Sequence, residues 1–130
     1  MLLGLLSVVT IINVLVANGF ALAGVFFPGF IVRGGEGSRT ARVFALYSLA
    51  RTVPLLLSVI WAATTMNATG LLWLGALAGV IQLADAAVGT RTGDPLKIWG
   101  PLGLGLVQLL AVLLAYWWGI PKSGGSGVRG

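Results

Sequence analysis

Leu71-Leu-Trp-Leu-Gly-Ala-Leu-Ala-Gly-Val-Ile-Gln-Leu-Ala-Asp-Ala-Ala-Val-Gly89 holds a single ionisable side chain, Asp85, in a run of apolar and small residues. At the helical rise per residue the run covers about 28 Å, close to the hydrocarbon thickness of a bilayer. The whole chain shares its character. Of 130 residues, 58% are hydrophobic and 8% charged, and the mean hydropathy is +1.01. A soluble domain has about 25% charged residues, and so few ionised groups cannot cover a water-facing surface. The stretch therefore reads as a transmembrane helix. A carboxylate within it is expensive and needs a reason.

Working outward, Met66–Gly70 is a short uncharged turn, and Thr40–Thr65 before it is another span. Arg42 sits near the mouth of that span, Arg51 lies about 13 Å deeper along the axis, Pro54 follows, and Trp61 marks the far interface. Asn67-Ala68-Thr69 matches the glycosylation acceptor pattern, but it lies against the membrane, out of reach of a transferase. Pro28–Ser38 is a Gly/Pro break that contains Arg33 and Glu36, with Ser38 or Thr40 placed to cap the next helix. Leu2–Phe27 is free of charge and long enough to span. Its Ala21-Leu22-Ala23 has the form of a signal-peptidase site, yet no basic segment precedes it and the apolar run is too long, so a retained span is expected.

Beyond Gly89, Thr90–Ile98 is a polar loop with Arg91, Asp94, Pro95 and Lys97. Asp94 there reads as a solvated turn residue, as does Glu36 in the first loop. Trp99–Trp118 is the last span, with Gly100-Pro101 in its first turn. Ile120–Gly130 is a Gly/Ser tail expected to be flexible. The expected fold is all-α: a polytopic membrane protein of four transmembrane helices in an up-down bundle, with both termini on the same side. The spans fall at about 2–27, 40–65, 71–89 and 99–118 within a domain 1–119, and 120–130 is the tail.

Charge sets the threading. Arg33, Arg39, Arg42, Arg91 and Lys97 all fall on the side of loops 28–39 and 90–98, while the termini side carries only Lys122 and Arg129. The positive-inside rule places both loops in the cytoplasm and both termini outside. Trp61, Trp73, Trp117 and Trp118 then fall on the outer interface, and Phe26, Phe27, Phe30 and Trp99 near the inner one. The net charge of +5 forms no basic stripe with interleaved aromatics, so nucleic acid is not an expected partner. With no Cys and no His, thiol chemistry and the commonest metal ligand are absent, and no metal site or cofactor is expected.

The polar residues within the spans are the candidate site. Side chains lean toward their own helix N-terminus, which aims Arg51 and Asp85 at each other and predicts an ion pair between them. Tyr47, Ser48 and Arg51 share a helix face, Gln82 and Asp85 share another, and Asn13, Asn18 and Gln108 are placed to close the ring. This cluster is either inter-helix glue, a polar pocket for a small or lipophilic ligand open toward the cytoplasmic leaflet, or a proton or ion path. Gly75-x-x-x-Gly79 permits close helix approach, either within this chain or as a homo-oligomer face.

Three function classes remain. The leading one is a small-ligand- or lipid-binding, or accessory, four-helix bundle whose partners are the lipid bilayer and a lipophilic small molecule. The alternative is a small integral-membrane enzyme, isomerase- or hydrolase-like, using Asp85 as acid or base, Tyr47 as proton donor and Arg51 as anion holder on a lipophilic substrate. A transporter is the third. Small multidrug exporters have this size but carry an embedded Glu in the first helix, where this chain has no acid. Arg42-Val-Phe-Ala-Leu-Tyr-Ser-Leu-Ala-Arg51, Gln82-Leu-Ala-Asp85-Ala-Ala-Val-Gly89 and Gly100-Pro101 together resemble small four-helix bacterial membrane proteins of the broad DoxX-like group, over roughly residues 5–118. That resemblance implies a bacterial inner-membrane four-helix bundle and supplies no reaction.

Overall fold

The computed structural model describes residues 1–31, 34 and 37–119. Arg33, Glu36, Lys122, Arg129 and the whole tail 120–130 lie outside the described residues. Four long apolar helices cross the membrane: α1 (Leu2–Phe26), α3 (Arg39–Thr64), α4 (Ala68–Gly89) and α5 (Pro95–Leu114), with a single-turn α2 (Pro28–Ile31) between the first two. A π-helical turn, Ala115–Gly119, extends α5. The helices alternate in direction, and Gly119 comes back against Leu2, so the described ends lie on the same side.

Side-chain caps fix the helix starts, and they correct three expected boundaries. Ser38 rather than Thr40 caps α3, accepting from the Ala41 N–H at 3.2 Å. Asn67 caps α4 by accepting from the Gly70 N–H at 2.8 Å, so α4 starts at Ala68, three residues before the expected Leu71. The Asn67 side chain thus has a structural use as the cap of α4. Asp94 caps α5 by accepting from the Leu96 N–H, and Pro95 takes the first helical position, so that Pro101, expected in the first turn, lies inside the helix. Lys97 is therefore a helix residue, and Asp94 is a cap rather than a free turn residue. Asn67→Ala and Asp94→Ala should each cost about 1 kcal/mol in denaturant unfolding in detergent micelles. Unchanged midpoints for both would argue against these caps.

The bundle is two hairpins. α1 packs chiefly on α3, and α4 chiefly on α5, while α3 and α4 share a smaller contact. The α4–α5 seam is built from small residues. A methyl added at Gly75 would meet Gln108 Nε2 and Val112 Cγ2 at 2.9 and 3.0 Å, one at Gly79 would meet Leu109 at 2.8 Å, and one at Gly89 would strike the Lys97 backbone. Gly75 and Gly79 are buried against α5, so this face serves packing within the chain.

The core is concentrated at one end. Leu6, Ala62, Leu71, Ala111 and Ala115 form one buried cluster at the termini end, and Val14, Val59 and Ala78 form a second, midway along. No comparable cluster of the described residues holds the loop end. There the two hairpins part.

Candidate functional site

Where the hairpins part, a cleft of about 630 Å³ opens among all four long helices. Its polar lining is Ser48 and Thr52 from α3, Gln82 and Asp85 from α4, Thr92 from the loop, and Lys97 from α5. The rest of the wall is apolar, including Val16, Phe20, Phe44 and Leu104. The volume and the mixed lining are those of a site for a small organic molecule.

The floor of the cleft is a chain of buried hydrogen bonds. Gln82 Nε2 donates to Asn13 Oδ1 at 2.6 Å, Asn13 Nδ2 to Gln108 Oε1 at 3.2 Å, and Gln108 Nε2 to Thr10 Oγ1 at 2.8 Å. The Thr10 hydroxyl ends the chain on the Leu6 carbonyl at 2.7 Å. Gln108 and Thr10 are fully buried, and Asn13 and Gln82 nearly so. Among the described residues no buried side-chain polar atom is left without a partner. Three helices, α1, α4 and α5, are joined by this one network.

Asn18 was expected in the same ring, but it belongs to another contact. Its Nδ2 donates to the Val14 and Thr52 carbonyls at 2.9 and 3.1 Å, and its Oδ1 accepts from the Thr52 hydroxyl at 3.1 Å. This clamp ties α1 to α3 inside the first hairpin. One turn and a half separates Asn13 from Asn18, which turns the two amides toward different neighbours.

The expected Arg51–Asp85 ion pair is not formed. The only ion pair among the described residues joins Lys97 to Asp94 at 3.4 Å. Both Arg51 and Asp85 are exposed, and Arg51 does not line the cleft. Side-chain lean sets direction along an axis, but says nothing of how far apart two helices stand, and here the cleft lies between α3 and α4. The double-mutant cycle of Arg51→Gln and Asp85→Asn should accordingly show a coupling below about 0.5 kcal/mol, as for groups not in contact. A coupling well above that would restore the pair. Tyr47 is 65% exposed and, like Arg51, does not line the cleft, so Tyr47, Arg51 and Asp85 do not converge there. Ser48 is the member of that helix face that reaches the cleft.

Three residues were missed. Thr10 lies one turn from Asn13 on the same face and terminates its network; that spacing was the available signal. Thr52 pairs with Asn18, and nothing local in the sequence marks it. Lys97 donates to the Ile31 carbonyl at 2.6 Å, holding α2 against the start of α5; its spacing from Asp94 was readable once Asp94 was placed at a helix start.

No protein family, curated protein or solved structure matches this chain.

Proposed function

We propose that this four-helix membrane protein is a binding bundle for a lipophilic small molecule, which enters the cleft at the loop end and rests on the amide floor. The single observation that carries the reading is the cleft itself, about 630 Å³ with apolar walls and polar groups gathered at Gln82 and Asp85. A bundle needing only glue would close its hairpins along their full length, as this one does at the termini end. Binding is favoured over catalysis, because Tyr47 and Arg51 stand outside the cleft while Asp85 lines it. The proposed setting is a bacterial inner membrane with the loop end in the cytoplasm, supported by Arg39, Arg42, Arg91 and Lys97 at that end.

Purification in a mild detergent followed by native mass spectrometry tests the binding. Wild type should retain an apolar molecule that Gly100→Trp loses, since Gly100 lines the cleft and a side chain there meets nothing nearby. A wild-type protein that is always empty would overturn the reading. A reporter fused after Arg129 should be active outside the cell; activity in the cytoplasm would reverse the threading.

A further inference from the structure

The amide chain has a direction, and the direction decides what it presents to the cleft. The Thr10 hydroxyl lies 2.7 Å from the Leu6 carbonyl oxygen. Two oxygens that close need a proton between them, and Thr10 has only one to give. Thr10 must therefore accept from Gln108, whose nitrogen faces it. The Gln108 oxygen must then accept from Asn13, and the Asn13 oxygen from Gln82. Each amide is fixed by the one before it. The atom left over is the Gln82 carbonyl oxygen, which accepts nothing among the described residues and, not being one of the sealed atoms, is open to the cleft that Gln82 lines.

Asp85 lines the same cleft one turn along α4 and, among the described residues, likewise accepts no hydrogen bond and has no ion-pair partner within 4 Å. At i, i+3 on a helix the two acceptors stand about 5–6 Å apart at their Cβ atoms. Among the described residues the cation in the lining is Lys97, already engaged by the Ile31 carbonyl and the Asp94 carboxylate. Resting on the binding role above, we propose that the cleft selects a lipophilic amine: a protonated primary ammonium held by the Gln82 carbonyl and the Asp85 carboxylate, with its apolar body against Phe20, Phe44 and Leu104. An ammonium has three donors and no acceptor, which suits two acceptors with nothing to accept. Ser48, whose hydroxyl makes no hydrogen bond, is placed on the opposite wall for the third.

The test uses three probes of one chain length, decylammonium, decanol and decanoate, titrated at neutral pH into the full chain in detergent micelles and followed by calorimetry. Decylammonium should bind saturably and about tenfold or more tighter than decanol, the ratio expected of one charge-assisted hydrogen bond. Asp85→Asn should remove most of that preference, read as the ratio of decylammonium to decanol affinity in the same variant. Gly100→Trp should abolish saturable binding of both. Equal binding of the three probes, all blocked by Gly100→Trp, would overturn the amine preference and leave the binding role standing. Tighter binding of decanoate would overturn it in the same way. No saturable binding of any probe, or binding indifferent to Gly100→Trp, would sink both. An ethanolamine lipid carries the same cation. Displacement of decylammonium in phosphatidylethanolamine nanodiscs, but not in phosphatidylcholine nanodiscs, would identify the headgroup as the source of the amine; retention in both would identify a free amine.

Discussion

Gly89→Ala should lower stability by about 3 kcal/mol or more, the top of the range for overpacking and the largest loss of any one-methyl change in the bundle. The added methyl would occupy the space of the Lys97 carbonyl group, and backbone cannot swing aside as a side-chain tip can. The end of α4 and the start of α5 would have to separate. That movement would also pull Lys97 from the Ile31 carbonyl and loosen the rim of the cleft. The control is Gly103→Ala on the same hairpin. A methyl there meets nothing within 4 Å, so the protein should gain about 0.5–1 kcal/mol from helix propensity. Unfolding in mixed micelles of increasing denaturing detergent reads both. Equal midpoints for the two variants would mean that the α4–α5 approach is looser than this geometry.

Asn13→Leu should have the second large effect, roughly 2 kcal/mol, the scale of a buried group left unpaired. Asn13 is the hub of the amide chain, accepting from Gln82 and donating to Gln108. Once it is removed, Gln82 can turn toward the cleft. Gln108, fully buried, has no such escape and keeps an unpaired oxygen. The double variant Asn13→Leu/Gln108→Leu should regain part of the loss, because Thr10 keeps its bond to the Leu6 carbonyl and no orphan amide remains. Strictly additive losses would show that the two side chains do not share a network. Hydrogen bonds between membrane helices average about 0.6 kcal/mol, so a loss near that value would mean that the orphaned oxygen finds water.

The four spans and their alternation were legible because lipid imposes one rule on every segment, and Arg, Asp, Gly and Pro mark where it lapses. Helix starts are legible only where a cap is weighed: Ser38 is a candidate cap from the sequence, whereas Asn67 stands out there only as a discounted glycosylation match and Asp94 as a turn residue. Gln82, Asn13 and Gln108 were placed together correctly, since amides buried in lipid have few alternatives to each other. Asn18 and Arg51 were not, because their partners depend on how far each helix turns and how far the hairpins part. Neither quantity is a periodicity. Gly75 and Gly79 announced a close approach, but the sequence could not say whether the approaching helix belonged to this chain. The cleft was the least legible feature of all, being defined by where packing stops.

The pairing of the helices into successive hairpins also bears on how the chain is made. Asn13 and Gln108 are separated by 95 positions. At ordinary rates of synthesis that distance takes about 5–20 s to translate. In the later part of that interval, once Thr64 completes α3, the first hairpin has its Asn18–Thr52 clamp available, while the Asn13 amide N–H still awaits the Gln108 oxygen. Completion of the network is thus a late event that reports arrival of the last helix.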